Sequence, residues 1–259
     1  MHPKLKMVNM DMDIVMNMSN NFFSFFKKTV TPITVDIHSH ILPNIDDGVR
    51  TIEESIEIIK KFQLLGYTKL ITTPHIMLDV YPNNREIITE KLHEVRVELK
   101  KQNIDIIIEA SAEYYLDEHF FNLIENDEEL LPFNEKYILF ETAPTYILPE
   151  ILNATIKKIL DRGYIPVLAH PERYSYLKND IKQYKELKAK GVLFQVNIKS
   201  LYDSSKPIYH TALKLLDAKI VDFMGSDVHR MRDITKINKV IQTRKYQKLL
   251  KKNNILNNI

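Results

Sequence analysis

The feature that most constrains the fold is a regular alternation of two hydrophobic patterns, which starts at Pro32 and continues to about residue 225. Short runs dense in Ile, Val, Leu and Phe are typical of parallel strands buried on both faces. Longer stretches with helical periodicity separate them. Strands are predicted over residues 33–37, 69–73, 105–110, 137–141, 165–169, 192–197 and 221–225, and helices over 51–65, 84–102, 148–162, 180–190 and 206–218.

This alternation predicts a single α/β domain over residues 32–259, because the chain has only five glycines and no long linker. An open doubly wound sheet typically carries a glycine-rich dinucleotide fingerprint, and we find none. We therefore expect a TIM-like (β/α)7 barrel. Residues 1–31 hold six of the nine methionines and a phenylalanine-rich run at 22–26. We expect this N-terminal extension to lie outside the catalytic fold, packed against it or in weak contact with a membrane or partner.

Composition excludes several classes of function. The 36 basic and 34 acidic side chains leave a net charge of +2, without the basic footprint of a nucleic-acid-binding protein. No apolar run approaches the roughly 18 residues of a transmembrane helix. The absence of cysteine excludes disulfides, thiolate metal sites and a cysteine nucleophile. It also suits a reducing compartment, so we expect a cytoplasmic protein.

Six of the seven predicted strands are followed closely by His, Asp or Glu. A single histidine at a strand end is usually an ordinary polar residue, but the carboxyl ends of barrel strands converge on one face. Buried carboxylates would be costly there unless cations neutralised them. The sequence therefore predicts a metal centre built from His38, His40, Asp47, His75, Glu113, Glu141, His170, Asp227 and His229.

This set is too large for one tetrahedral zinc ion and suits two or three ions. Imidazole and carboxylate ligands without sulfur favour manganese, iron or zinc. Such clusters generate hydroxide at neutral pH and hold a phosphoryl group between cations. Arg173 is a candidate for bidentate binding of phosphate oxygens, with a surface ion pair as the alternative. Arg230 and Arg232 beside His229 are weaker candidates.

Five motifs together resemble the PHP (polymerase and histidinol phosphatase) superfamily. They are His38-Ser39-His40, Leu42-Pro43 with Asp46-Asp47-Gly48, Thr73-Pro74-His75, His170-Pro171-Glu172-Arg173, and Ser226-Asp227-Val228-His229. Within this superfamily, the first two motifs are similar to the opening of the capsular-polysaccharide protein-tyrosine phosphatases. The resemblance runs from about residue 32 to residue 235, and every ligand position is filled.

The resemblance implies a distorted (β/α)7 barrel, the PHP fold, with a centre of three manganese ions. His38, His40, Glu113 and Asp227 would hold the first ion. Glu113, Glu141 and His170 would hold the second, with Glu113 bridging, and Asp47, His75 and His229 would hold the third. Arg173 matches the phosphate-binding arginine of the family, and Arg232 is the second arginine candidate. The methionine-rich start and a short loop after His229 depart from the family pattern.

The function implied is a metal-dependent protein-tyrosine phosphatase that uses a metal-bridging hydroxide. Its substrate would be the phosphotyrosine-bearing tail of a bacterial tyrosine autokinase that controls capsule or exopolysaccharide synthesis. Two alternatives stay open at this point. One is a small-molecule phosphomonoesterase of the histidinol-phosphate phosphatase kind, and the other is a non-catalytic, metal-stabilised binding module. A polymerase-associated exonuclease is disfavoured because no polymerase or basic domain is attached.

Overall fold

The computed structural model describes residues 32–177 and 180–259, so the extension predicted over residues 1–31 lies outside the described residues. The strands are β1 Val35–Asp36, β2 Lys69–Thr72, β3 His75–Ile76, β4 Ile107–Ala110, β5 Glu113–Tyr115, β6 Tyr137–Glu141, β7 Ile165–Ala169, β8 Leu193–Asn197 and β9 Phe223–Gly225. The α-helices are α1 Ile52–Leu64, α2 Arg85–Lys101, α3 Glu118–Glu125, α4 Pro149–Asp161, α5 Ile181–Ala189, α6 Pro207–Asp217, α7 Met231–Ile241 and α8 Arg244–Lys252.

The strands form two parallel sheets. The sheets are joined at two places where a strand is interrupted and continues in the other sheet, as β2 into β3 and β4 into β5. One sheet has the order β1-β2-β4 and the other β3-β5-β6-β7-β8-β9. Only Thr73 and Pro74 separate β2 from β3, and only Ser111 and Ala112 separate β4 from β5. Proline has no N–H to donate to a ladder, so the pairing is interrupted there. Each kinked pair passes from one sheet into the other, which gives seven strand positions around the barrel.

The first and last strands meet along a seam that lacks a regular ladder. One parallel bridge joins Ser39 to Val228. Next to it, the N–H of Asp227 donates to the carbonyl of His38 at 2.7 Å, and the N–H of His40 donates to the carbonyl of Val228 at 2.9 Å. The Asp36 carboxylate accepts hydrogen bonds from the N–H and hydroxyl of Ser226. The fold is therefore a distorted seven-stranded TIM-like barrel, as predicted.

Apolar side chains fill both faces of the strands. One buried cluster lies inside the barrel and includes Ile71, Leu139, Val167 and Phe223. A larger cluster lies between the strands and the helices and takes the alternate residues of the same strands, such as Phe140. Because neighbouring residues of a strand point to opposite faces, burial on both sides accounts for the continuous apolar runs in the sequence.

The sequence patterns did not predict every element. Three helices, α3, α7 and α8, fall outside the predicted helical stretches, and β3 and β5 extend two predicted strands beyond their kinks. All seven predicted strands and all five predicted helices are present, within about two residues at most ends. Of the helices described, none is long and apolar enough to cross a membrane.

Candidate metal centre

The nine predicted ligands lie together at the carboxyl end of the barrel, in and beneath a cavity of about 290 Å³. Seven of them line the cavity: Asp47, His75, Glu113, Glu141, His170, Asp227 and His229. His38 and His40 are fully buried next to them. The fold places eight of the nine candidate ligands at or within a few residues of a strand end, and Asp47 in the loop between β1 and α1. Convergence of the strands thus brings together residues that are far apart in sequence.

Glu113, the first residue of β5, occupies the middle of the cluster. Its Oε2 lies 3.1 Å from His38 Nε2, 3.3 Å from His40 Nε2 and 3.3 Å from His75 Nδ1. Its Oε1 lies 2.9 Å from His170 Nε2. Burial raises the pKa of Glu113, but the nearby imidazoles outweigh burial and hold it well below its usual range. One ionised carboxylate thus faces four imidazoles, which is the position that a bridging ligand needs.

The two oxygens of Asp227 face different groups. Oδ1 lies 3.6 Å from His40 Nε2 and 3.8 Å from His38 Nε2. Oδ2 points away from these rings, 3.1 Å from Lys199 Nζ and 3.3 Å from the Arg173 guanidinium. The backbone of Asp227 has a φ of 49°, in the left-handed region that aspartate tolerates better than most residues. This conformation turns one oxygen toward the cluster and the other toward two cations.

The outer part of the cluster is built on His75. Its Nε2 lies 3.5 Å from Asp47 Oδ1, and the same oxygen lies 3.2 Å from His229 Nε2. The other ring nitrogen, Nδ1, lies 3.3 Å from Glu141 Oε1. His75 therefore faces two groups of acceptors, whereas the family resemblance placed it only with Asp47 and His229. The second Glu141 oxygen lies 3.6 Å from His170 Nε2.

Three features of this cluster suit a bound cation: the position of a buried histidine nitrogen, a neutral imidazole, and a carboxylate that is costly to ionise without a cation. The buried Nδ1 of His75 lies 3.3 Å from oxygens of Glu113 and Glu141 without a hydrogen bond to either, so a cation could lie among the three groups. Burial lowers the pKa of His170 to about 4, which keeps its imidazole in the neutral form that binds cations. Burial and the charge of Glu113 raise the pKa of Glu141 to about 7, a cost that a bound cation would remove. The residues thus fit a metal centre.

In the part of the chain that the structure describes, three groups have ligand atoms close enough together to hold an ion. They are His40, Asp47, His75 and His229; His38, His40 and Glu113; and His75, Glu113 and Glu141. The donors are imidazole nitrogens and carboxylate oxygens, which suit manganese, iron or zinc.

Strand β8 supplies no ligand, yet its side chains hold three of them, which the sequence patterns did not predict. The His38 Nδ1–H donates to Gln195 Oε1 at 2.7 Å, and that oxygen also accepts from the N–H of His170 at 3.3 Å. Gln195 Nε2 donates to Asn197 Oδ1 at 2.8 Å, and Asn197 Nδ2 donates to Asp227 Oδ2 at 2.6 Å. The chain of donors leaves His38 Nε2 as the nitrogen that is free to bind a cation.

Asp46 is a second supporting residue, which lies in the Asp46-Asp47-Gly48 motif but is not among the predicted ligands. The His40 Nδ1–H donates to Asp46 Oδ2 at 2.8 Å. Although burial lowers the pKa of His40, Asp46 and Glu113 outweigh burial and raise it well above its ordinary value. Asp46 also accepts from the N–H of Gly48 at 2.8 Å, which fixes the loop that carries Asp47.

The three candidate arginines lie in different places. Arg173 lines the cavity, with 42% of its side chain exposed, and donates to Asp227. Arg230 donates to the carbonyls of Gly48 and His229 and so connects two loops. Arg232 lines a neighbouring cleft of about 430 Å³ that touches His229, and it is not among the residues described as lining the metal cavity. A phosphate-binding role for Arg232 stays a prediction.

Comparison with known proteins identifies the family. The sequence profile of a family described as "Capsular polysaccharide synthesis, CpsB/CapC" matches residues 34–258. The chain belongs to this family. It is 32% identical over 198 residues to the putative tyrosine-protein phosphatase CapC of Staphylococcus aureus, a match that covers 75% of this chain and 76% of the relative. It is 30% identical over 203 residues to the tyrosine-protein phosphatase YwqE of Bacillus subtilis, covering 76% and 78%.

A solved structure agrees with this family membership. It comes from crystal structures of YwqE from Bacillus subtilis and CpsB from Streptococcus pneumoniae, described as unique metal-dependent tyrosine phosphatases. The match has a TM-score of 0.73 and 26% identity, and covers 86% of this chain and 96% of the solved chain. These findings confirm the predicted family and the predicted barrel.

Proposed function

We propose that this protein is a metal-dependent protein-tyrosine phosphatase. Its substrate is phosphotyrosine on a bacterial tyrosine autokinase that controls capsule or exopolysaccharide synthesis. The observation that carries the proposal is the convergence of five histidines and four carboxylates around one small cavity whose rim bears Arg173. The names of the relatives support the same activity. We also propose a cytoplasmic location, since a chain without cysteine suits a reducing compartment.

The proposed cofactor is a set of three manganese ions. His38, His40, Glu113 and Asp227 would hold the first ion, Glu113, Glu141 and His170 the second, and Asp47, His75 and His229 the third. Two of these sets share Glu113, whose oxygens face both. The sulfur-free donors also accommodate iron or zinc.

When bound, the ions would supply a water molecule of lowered pKa and positive charge around the phosphoryl group. The chain itself contributes position and charge. Arg173 stands at the rim, where its guanidinium can donate two parallel hydrogen bonds to phosphoryl oxygens. The leaving tyrosine oxygen has an ordinary pKa of about 10, so its departure needs little help from a general acid.

Three treatments test the activity. The protein is purified without chelator, its metal content is measured, and hydrolysis of p-nitrophenyl phosphate is followed with manganese. Exhaustive chelation should abolish hydrolysis and manganese should restore it, whereas iodoacetamide should have no effect because the chain has no cysteine. Activity that survived complete metal removal would contradict the metal mechanism.

A comparison of substrates separates the proposal from its main alternative. The measurement is kcat/KM for a phosphotyrosyl peptide and for histidinol phosphate under the same metal load. We expect the peptide to be preferred. A clear preference for histidinol phosphate would instead indicate a small-molecule phosphomonoesterase, and no turnover of either substrate would favour a binding module.

A further inference from the structure

A groove of about 800 Å³ continues from the metal cavity along the outside of the barrel end. It runs from the 3₁₀ turn Pro171–Arg173 to the first turn of α6. Arg173 and Tyr174 line both the groove and the metal cavity. A molecule whose phosphate entered the cavity could therefore extend past Arg173 and Tyr174 into the groove and contact the protein along its whole length.

The basic side chains of this groove are Lys206 and Arg173. Lys206 is exposed on its far wall, and Arg173 lies on the wall shared with the cavity. The acid that lines it, Glu172, is only 5% exposed, and its Oε1 already accepts hydrogen bonds from the N–H of Asn197 and the hydroxyl of Ser200.

The surroundings of Lys206 contribute charge of both signs. The neighbouring acid Asp203 accepts hydrogen bonds from the N–H and hydroxyl of Ser205, at 3.0 and 2.7 Å, and its carboxylate also attracts Lys206. Lys206 is also the N-cap of α6, where no side-chain cap hydrogen bond is formed, so the positive end of the helix adds to the charge of the lysine. The half-buried side chain of Ile208 gives this wall an apolar contact surface beside the charge.

We propose that this groove binds the polypeptide on either side of the phosphotyrosine, and that Lys206 selects substrates with acidic residues next to it. This inference rests on the proposed function. The phosphate lies in the metal cavity, and the shared wall at Arg173 and Tyr174 directs the flanking chain into the groove. Complementary charge then favours glutamate or aspartate over neutral neighbours.

A second groove, of about 810 Å³ between α4 and α5, provides the matched comparison. One of its two exposed lysines, Lys182, also lies in the first turn of a helix. Among the described residues, however, the lining of this groove shares no member with the metal cavity, and its charge is mixed because Asp180 and Glu186 line it as well.

The experiment compares Lys206→Glu with Lys182→Glu on three substrates. These are p-nitrophenyl phosphate, a phosphotyrosyl peptide with glutamates on both sides, and the same peptide with alanines. Lys206→Glu should lower kcat/KM for the glutamate peptide about five- to tenfold, chiefly through KM, because attraction becomes repulsion. Its kcat/KM should change less than about twofold for the alanine peptide and for p-nitrophenyl phosphate. Lys182→Glu should leave all three values unchanged.

The salt dependence and the parent protein's activity show how the result is to be interpreted. The effect of Lys206→Glu should shrink as salt rises, because exposed charges are screened. Unchanged kcat/KM of Lys206→Glu for the glutamate peptide, or an equal loss in Lys182→Glu, would overturn the groove assignment while the phosphatase activity stood. If the parent protein turned over none of the three substrates with manganese, the proposed function would fail, and this inference with it.

Discussion

Glu113 is the side chain on which the proposed metal centre would depend most, since its two oxygens face four imidazoles. We expect Glu113→Gln to lower metal content and to reduce kcat/KM more than a hundredfold, because it removes a charge that two cations would share. His229→Ala should do less damage, because its ring lies in only one group of ligand atoms. Metal analysis and steady-state kinetics on both variants test this. Near-normal metal content in Glu113→Gln would show that the bridging ligand is another residue.

Arg173 differs from the ligands because a guanidinium does not bind cations. Lysine in its place keeps the charge but cannot make two parallel hydrogen bonds to a phosphoryl group. If these bonds strengthen as charge develops, Arg173→Lys should lower kcat as well as raise KM. Loss of one such donor costs on the order of 3 kcal/mol, or roughly a hundredfold in rate. The measurement is kinetics on a phosphotyrosyl peptide.

The control for Arg173→Lys is metal stoichiometry, which should stay at the parent value, since the guanidinium donates to the Asp227 oxygen that faces away from the cluster. Full activity in this variant would reduce Arg173 to an ion pair with Asp227 and leave phosphate binding to the cations alone.

At the scale of elements, strand β8 supports candidate ligands that follow β1, β7 and β9. Gln195 accepts from His38 Nδ1 and so fixes which nitrogen of that ring is free. Gln195→Met keeps the volume of the side chain but leaves the ring N–H unpaired, so manganese affinity should fall 10- to 100-fold, the usual cost of removing such a partner. Gln195→Glu restores an acceptor for His38 and should recover part of the loss.

Calorimetric titration of manganese into the metal-free protein measures both Gln195 variants, with thermal unfolding as the check on folding. Manganese affinity equal to that of the parent in Gln195→Met would show that the hydrogen bond does not position His38. A variant that lost affinity only because it was partly unfolded would also lose thermal stability before metal was added, and thermal unfolding would reveal this.

The strands were predictable because burial on both faces leaves continuous apolar runs. That the nine candidate ligands lie close together was predictable because most of them follow those runs, whereas their binding of metal stays a prediction. Pro74 indicates a break in the strand, but the sequence does not show that the strand pairs in one sheet before the break and in the other sheet after it. That change depends on the partner strands. Gln195 and Asn197 were missed because amides have no metal-ligand signature. Their signal is a local one, two polar residues on alternate positions of an otherwise apolar strand. Helices α7 and α8 follow the last predicted strand, beyond the alternation on which the prediction relied.

At the scale of the whole molecule, closure of the barrel depends on the last residues of the chain. The seam between β1 and β9 has a single bridge at its carboxyl end. At its other end lies Asn257, which is 1% exposed. Its Nδ2 donates to the carbonyls of Val35 and Met224, and its Oδ1 accepts from the N–H of Met224. One side-chain amide thus joins the first strand to the last, where the two strands do not pair directly.

Asn257→Ala should therefore destabilise the whole barrel although it is far from the cavity. It leaves three buried main-chain groups without their partner, at about 1 kcal/mol each, so the free energy of unfolding should fall by about 3 kcal/mol. For a chain of this size that corresponds to a drop of about 8 °C in Tm.

The neighbouring Asn258 is exposed, so Asn258→Ala is the matched control and should change Tm by less than about 1 °C. Both variants are compared with the parent at the same metal load, by thermal unfolding and by kcat for p-nitrophenyl phosphate below the transition. We expect kcat to be unchanged in both, because no candidate ligand touches Asn257. Equal Tm values for the two variants would mean that the seam is held by the Ser39–Val228 bridge and the Asp36–Ser226 hydrogen bonds without the chain terminus.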